Sequence, residues 1–270
     1  MSSMETSNLT RETLRKMFSE DKRFDGRKLL DFRDFEIDFD ISNKAEGSAR
    51  VRMGKTEVVV GVKLTTGTPY PDSPNKGNLM VSGDLLPLAS PRFESGPPKF
   101  DAIELPRLMD RMIRESGMID LSKLVIKEGE SVWTVIVDIY PINDDGSLID
   151  AASIGCVAAL YNAKMPELME NGLPDYENKK DKLPLTGVMP LSFTFFKLGE
   201  NVVLNPTREE EEACEGKMTM GISEFNGKKM INSCQKGWEK IIRQSELEEM
   251  AKILPEKYEG VMKKLKSYLK

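Results

Sequence analysis

A period-two alternation of apolar and polar residues is the feature that most restricts the fold. Apolar side chains alternate with acidic ones over 36–41, and this pattern predicts a β-strand with one face exposed to solvent. Further alternating runs cover 49–53 and 58–64, and a Met-Gly-Lys turn separates them. Residues 31–66 are therefore predicted to form an antiparallel meander, which begins an open sheet.

Helical patterns follow this sheet and predict an α+β fold class. Asp101 and Glu104 have the spacing of a capping box, so a helix is predicted to begin there and to reach about residue 116. Residues 132–140 are apolar on both faces and predict a central strand. Asp150 is then predicted to cap a helix of small residues that can press closely against the sheet.

The second part of the chain repeats this order of strands followed by helices. Four strands are predicted at 191–197, 201–205, 217–224 and 228–234. An acidic helix at 207–215 is predicted between the middle pair. Two C-terminal helices, 236–254 and 256–269, are predicted to meet at a hinge at Pro255. The chain is therefore predicted to contain two pseudo-similar β/α halves, with open sheets and packed helices.

The predicted domain organisation has four parts. Residues 10–23 predict a helix that stops near Asp25 and Gly26, where glycine can take a positive φ. Three prolines, two glycines and a mixed charged run predict a linker after the first half. The parts are an N-terminal helical arm at 1–30, a first half at 31–165, a linker at 166–187 and a second half with the C-terminal helices at 188–270.

The residue types present exclude much chemistry. The chain has no histidine, which excludes a His general base, a Ser–His or Cys–His nucleophile pair and His-ligated zinc. Its three cysteines form no CxxC motif, so isolated thiols in a reducing compartment are predicted. P-loop, HExxH and GxSxG motifs are absent. We expect a cytoplasmic protein with no metal, no cofactor and no membrane contact.

Three arginines on the capped helix form the first candidate site. At 100° per residue, Arg107, Arg111 and Arg114 lie within about 60° of one another. Guanidinium groups on one line suit a run of phosphates. The same positions also allow solvent-exposed ion pairs, Arg111 with Glu115 and Arg114 with Asp110. From composition alone, the ion-pair interpretation is favoured.

The second candidate is an acidic cluster in the helix at 207–215, which contains Glu209, Glu210, Glu211, Glu212 and Glu215. Its carboxylates could hold Mg²⁺ or supply a general acid. Consecutive glutamates point in different directions, and the helix macrodipole favours negative charge in a first turn without any ligand, so a solvated structural role is favoured. The third candidate, Asp25-Gly26-Arg27, is interpreted as a turn.

Five segments occur in an order that is more specific than any one of them. They are RFDGR at 23–27, EGSARVRMGKTEVVVGV at 46–62, GPP and ELPRLMDRMIRES within 96–116, VWTVIVDIYPINDDGSLIDAASIGCVAAL at 132–160, and LNPTREEEEACEGKMTMGISE at 204–224. This order resembles the RNase PH family, which includes phosphorolytic exoribonucleases and the ring subunits of exosomes. Within the family it most resembles the non-catalytic RNase PH-like subunit of the archaeal exosome, and an RNase PH-like fold is expected.

Two departures from the family pattern imply that this chain has no catalytic residue. Active members receive inorganic phosphate at a small-residue loop with an arginine before a helix, whereas residues 146–150 lack that arginine. Asp150 is expected to cap this helix and to repel phosphate. Active members also carry an aspartate after the acidic helix, and Lys217 aligns with it. An ammonium group neither binds Mg²⁺ nor acts as a good general base.

The resemblance also implies partners and an RNA-binding role. In the family, arginines of this helix face a cleft shared with the catalytic partner, so Arg107, Arg111 and Arg114 are expected to bind the backbone of single-stranded RNA. The expected assembly is a hexameric ring of three heterodimers with a catalytic RNase PH-like exosome subunit, together with RNA-binding cap subunits. Two alternatives are a stand-alone phosphorolytic exoribonuclease that uses Glu211 and Lys217, and a binding module unrelated to RNA.

Overall fold

A six-stranded sheet forms the first half of the computed structural model, which describes residues 6–269. Its strands are β1 (Phe35–Phe39), β2 (Gly47–Met53), β3 (Thr56–Gly67), β4 (Asn78–Gly83), β5 (Val125–Lys127) and β6 (Ser131–Asn143). Their order is β1-β2-β3-β6-β4, and β5 pairs with β6. β1, β2 and β3 are antiparallel neighbours, and β6 lies inside the sheet. The predicted meander and the predicted central strand are both confirmed.

The small residues of helix α3 allow it to pack closely against the first sheet. Helix α1 (Asn8–Ser19) precedes the sheet, and α2 (Phe100–Ser116) and α3 (Leu148–Asn162) follow β4 and β6. A Cβ on Gly155 of α3 would lie 2.8 Å from Cγ2 of Val60, and one on Gly47 would lie 2.4 Å from the carbonyl oxygen of Ala159. The small residues therefore permit the close contact between helix and sheet that their composition predicts.

The helix ends differ from the predictions in two places. α1 ends at Ser19 rather than at residue 23, and Gly26, with φ of 81°, lies in a later turn. The predicted capping box at the start of α2 is wrong, since Lys99 is the N-cap and makes no side-chain capping bond. Asp101 lies inside the first turn, and Glu104 is buried instead of reaching back to the N-cap.

The segment predicted as a linker contains a β-hairpin. Strands β7 (Lys164–Leu168) and β8 (Pro174–Lys182) pair in antiparallel register. The charged side chains of this hairpin lack the apolar alternation that predicts a strand. The hairpin is held against the sheet by a buried carboxylate. Glu46 accepts hydrogen bonds from the backbone N–H of Leu64 and from Nζ of Lys63, and Lys179 of β8 lies 3.4 Å from it. That 166–187 separates two domains stays a prediction.

The second half contains the four predicted strands and the predicted acidic helix. The strands are β9 (Leu191–Leu198), β10 (Asn201–Leu204), β11 (Gly216–Phe225) and β12 (Lys228–Gly237), in the order β10-β9-β11-β12. All neighbours are antiparallel, and α4 (Arg208–Ala213) connects β10 to β11. Leu14 and Phe18 of α1 pack with Phe196 and Leu198 of this sheet, so the N-terminal helix belongs with the second half in space.

A single helix, α5 (Gln244–Tyr268), is the last element of the described chain. The predicted pair of helices hinged at Pro255 is therefore wrong, and 238–243 form a loop. Proline removes one helical hydrogen bond, but the helix continues because Leu254 and Tyr258, on either side of it, are buried in the same core. No helix within 6–269 is long and apolar enough to cross a membrane.

Candidate functional site

The arginines of α2 lie on its exposed face, and their surroundings separate them into two groups. Leu108, Met109 and Met112 on the opposite face are buried, as their spacing predicts. Arg114 donates from Nε to Oδ2 of Asp110 at 3.0 Å and from Nη2 to the carbonyl oxygen of Leu79 at 3.1 Å. The ion-pair interpretation therefore holds for Arg114.

Arg107 and Arg111 differ from Arg114 in that they have no partner among residues 6–269. Neither makes an ion pair or a side-chain hydrogen bond with another residue of the described range 6–269, so the alternative pair of Arg111 with Glu115 does not form there. Both arginines line a cleft of about 970 Å³, which Arg92 and the exposed side chain of Phe100 also line. Six acidic side chains line the cleft as well, against the four basic ones Arg92, Lys99, Arg107 and Arg111, so Arg107 and Arg111 supply local rather than net positive charge.

Lys217 connects the two halves beside this cleft. Its Nζ lies 2.5 Å from Oε2 of Glu104, and only 7% of the lysine side chain and 6% of the glutamate side chain are exposed. Lys217 lies on β11 and Glu104 lies one turn before Arg107 on α2. The ammonium group is therefore neutralised inside the chain, and it has no lone pair to offer a metal or a proton.

A carboxylate of the chain itself occupies the N-terminus of α3. Ser147 is the N-cap, with φ of 56°, and its backbone N–H donates to Oε2 of Glu211 at 2.8 Å. Arg92 lies 3.8 Å from Oε1 of Glu211 and 2.7 Å from Oδ2 of Asp144. Burial raises the pKa of Glu211, while Arg92 opposes that shift. The position where a helix start receives an anion is thus already filled by Glu211.

Asp150 does not cap α3, which corrects the prediction. Its side chain is fully buried and accepts hydrogen bonds from the backbone N–H of Thr194 at 2.9 Å and from Nδ2 of Asn205 at 3.0 Å. Burial raises the pKa of Asp150 to about 7. Asn205 in turn accepts from Nε of Arg33 at 2.8 Å. Asp150 therefore binds the second half to the first, and the anion at the helix start is Glu211.

The acidic cluster is dispersed among separate partners, as the direction of consecutive helical residues predicts. Glu210 is fully buried against Arg23, which corrects the expectation that it is solvated, and Arg208 binds Glu212 at 2.9 Å. No group of three or more Asp, Glu or Cys side chains within 6–269 is placed to hold a metal ion. Asp25-Gly26-Arg27 is a turn, in which Arg27 donates to Asp25.

Two residues of this region were not identified from the sequence. Arg92 lies in a Gly/Pro/Ser-rich stretch that carries no motif, and Trp238 was assigned to a helix. Both line a second cavity of about 90 Å³, together with Glu104, Lys217 and Glu211. No sequence signal marks Trp238, which in the structure directly follows Gly237, where a Cβ would lie 2.8 Å from Cε of Lys217.

Comparison with known families agrees with this arrangement. Residues 31–166 match the model described as 3′ exoribonuclease family, domain 1, and residues 189–253 match domain 2 of the same family. The chain belongs to the RNase PH family of 3′ exoribonucleases. The RNase PH-like fold expected from the segment order is therefore confirmed.

Relatives in this family are similar over most of their length. The exosome complex component Rrp42 of Thermococcus onnurineus is 44% identical over 240 residues, which cover 87% of each chain. The Rrp42 component of Methanocella arvoryzae is 41% identical over 262 residues, or 94% of this chain and 97% of the relative.

Chains of solved archaeal exosome structures have the same fold. A chain of the Archaeoglobus fulgidus exosome with RNA bound to the active site has a TM-score of 0.83 and 39% identity, and it covers 93% of this chain and 98% of its own length. A chain of an archaeal exosome core has a TM-score of 0.79 and 36% identity, over 91% and 92% of the two chains.

Proposed function

We propose that this chain is a non-catalytic subunit of an exosome. It pairs with a catalytic RNase PH-like subunit in a hexameric ring of three heterodimers, organises the partner's active site and helps to bind RNA for 3′-to-5′ degradation. Its similarity to archaeal Rrp42 components over most of the chain supports membership of such a complex. The assembly is expected to carry RNA-binding cap subunits and to work in the cytoplasm.

The ion pair between Lys217 and Glu104 carries the non-catalytic part of this proposal. Phosphorolysis needs a bound phosphate that attacks the 3′-terminal phosphodiester, and a group that helps the proton reach the leaving oxygen. Lys217 is buried and paired where an acid is expected, and the carboxylate of Glu211 occupies the N-terminus of α3. At these two positions the phosphate would meet a filled helix start and the proton would meet a paired ammonium group.

The arginines of α2 are the residues through which this chain contributes to RNA binding. Arg107 and Arg111 are exposed and unpaired within 6–269, so they can bind phosphates of the RNA backbone that leads into the partner's site. Arg114 is the weaker contributor, because Asp110 already neutralises it. Backbone contacts of this kind carry no base information, so the subunit binds RNA without regard to sequence.

Purification of the chain alone and with a catalytic RNase PH-like partner tests the proposal. Given 3′-tailed RNA and inorganic phosphate, the chain alone is expected to release no nucleoside diphosphate, and the co-expressed pair is expected to release it steadily. Mass measurement of the pair should give a six-membered species. Nucleoside diphosphate release by the chain alone would favour the stand-alone exoribonuclease instead.

A further inference from the structure

Trp238 holds a backbone conformation that tryptophan rarely adopts. Its φ is 63°, in the left-handed region that a bulky side chain disfavours. The loop conformation is held by Nζ of Lys236, which donates to the carbonyl oxygen of Trp238 at 2.6 Å. Strain of this kind persists only where surrounding contacts enforce it, and it is concentrated at functional sites.

This backbone conformation places the indole ring against two side chains of the second-half sheet. The ring lies 5.4 Å from that of Phe196, centroid to centroid, and Nζ of Lys217 lies 5.5 Å from the indole centroid. Phe196 and Lys217 are directly opposite each other on β9 and β11, so both side chains project from the same face of the sheet. Both contacts therefore reach the indole from the sheet side, and the residue is still 37% exposed.

The small cavity that Trp238 lines adjoins the arginine cleft. The small cavity that Trp238 lines and the larger cleft that Arg107 and Arg111 line share Arg92 and Glu104 as lining residues. At 1.5 Å per helical residue, Arg107 lies about 4.5 Å and Arg111 about 10.5 Å beyond Glu104 along α2. An aromatic side chain and two unpaired arginines thus line adjoining spaces.

We propose that Trp238 is a stacking platform for a nucleobase of the single-stranded RNA in this cleft, an inference that rests on the proposed function. Every base has a π-face, so stacking tolerates any sequence, as the backbone contacts of the arginines do. The support from Phe196 and Lys217 fixes the ring before RNA arrives, so little side-chain freedom is lost on binding. The same lysine that replaces an expected acid therefore supports a binding residue.

RNA binding by the assembled complex tests this role. Trp238→Leu is expected to weaken binding of a single-stranded RNA about tenfold, whereas Trp238→Phe, which keeps an aromatic face, should stay near wild type. Phe225→Leu is the matched control, because Phe225 is 50% exposed on the distal hairpin of β11 and β12. RNA with one abasic position, scanned along the strand, should weaken wild type at one position and leave the Trp238→Leu complex unchanged there.

Intrinsic fluorescence gives a second readout that does not depend on folding of the leucine variant. The chain has two tryptophans, and Trp133 is only 5% exposed, so a Trp133→Phe variant reports on Trp238 alone. If a base stacks on Trp238, saturating RNA should change the fluorescence of the Trp133→Phe variant. RNA that lacks the base at the position found in the abasic scan should leave this fluorescence unchanged. Unchanged emission at saturation, or equal losses with abasic RNA in wild type and in Trp238→Leu, would overturn the proposal.

The two proposals fail in different ways. If Arg107→Ala with Arg111→Ala weakens RNA binding while the tryptophan variants do not, the stacking role is wrong and the proposed function stands. If no complex with a catalytic partner forms, the proposed function is wrong, and the fluorescence titration of the chain alone still decides whether RNA reaches Trp238.

Discussion

Charged side chains are paired inside the protein around Lys217, whereas two of those on the outer face of α2 have no partner within residues 6–269. Lys217 is neutralised by Glu104 inside the protein, and Glu211 is bound by the backbone at the start of α3. Arg107 and Arg111 have no such partner within residues 6–269. A charge that is satisfied internally attracts an external ligand weakly, whereas an unpaired charge attracts it strongly. The two regions therefore differ in how much charge they leave free for an external ligand, and the proposed RNA-binding role depends on this difference.

Lys217→Met should have the largest effect, because it leaves the buried carboxylate of Glu104 without its partner. Removing one member of a buried ion pair costs about 3–5 kcal/mol of unfolding free energy, which chemical denaturation can measure. The double variant Lys217→Met with Glu104→Met should recover most of that loss. Lys99→Met is the control, since Lys99 and Glu94 are both more than half exposed and their pair is worth little. A loss no larger than the control's would show that the internal pair is unimportant.

The folding stability should depend on pH through Asp150 in a way that differs from the effect of exposed acidic residues. Burial raises the pKa of Asp150 from 3.8 to about 7, so the folded state holds a proton that the unfolded state releases. This contribution to stability is complete below about pH 4 and is lost as pH rises towards 7, with a slope of up to about 1.4 kcal/mol per pH unit. Denaturation of wild type and Asp150→Asn over this interval measures it, and parallel curves would contradict the assignment.

Arg107→Ala with Arg111→Ala should act on binding and leave the fold intact. We expect RNA affinity of the assembled complex to fall about tenfold. The slope of log affinity against log salt should become shallower by about 1.4, or about 0.7 for each phosphate that an arginine no longer neutralises. Arg114→Ala should change both quantities less, because Asp110 already binds that guanidinium. Equal effects of Arg107→Ala and Arg114→Ala would remove the distinction between paired and unpaired arginines.

Glu211→Gln should have the smallest effect of the four. The amide oxygen can still accept the N–H of Ser147, and Arg92 keeps its bond to Asp144, so we expect a loss of less than about 1 kcal/mol in unfolding free energy. The variant should also remain unable to release nucleoside diphosphate, since Lys217 is unchanged. Activity gained from this single change would mean that the filled helix start alone prevents catalysis.

Sequence patterns predicted the strands and helices whose formation depends on neighbouring residues in the chain. Period-two alternation identified the strands from Phe35–Phe39 onward, and the small residues of α3 indicated its close packing on the sheet. The charged hairpin of β7 and β8 escaped prediction because its anchor, Glu46, lies far away in the sequence. The hinge at Pro255 was predicted wrongly because tertiary burial outweighed the cost of proline in a helix.

The sequence identified several residues of the site, but it did not predict which other side chains they contact. Lys217 and the arginines of α2 were identified from the sequence, yet nothing local indicates that Glu104 lies beside Lys217, 113 residues away. Asp101 and Asp150 have the sequence context of helix caps, but burial and hydrogen bonds from other elements gave Asp150 a different role. The left-handed backbone of Trp238 has no sequence signature and depends on the packing around it.

The pairing of Lys217 with Glu104 also restricts which residues the two positions can accept. A single change of Lys217 to aspartate would place two carboxylates together in a buried site, where like charges repel and one of them must stay protonated. Replacing Glu104 alone would in turn leave the ammonium group of Lys217 buried without its partner. The stability of the fold therefore couples the two positions, and a change of charge at one requires a compensating change at the other.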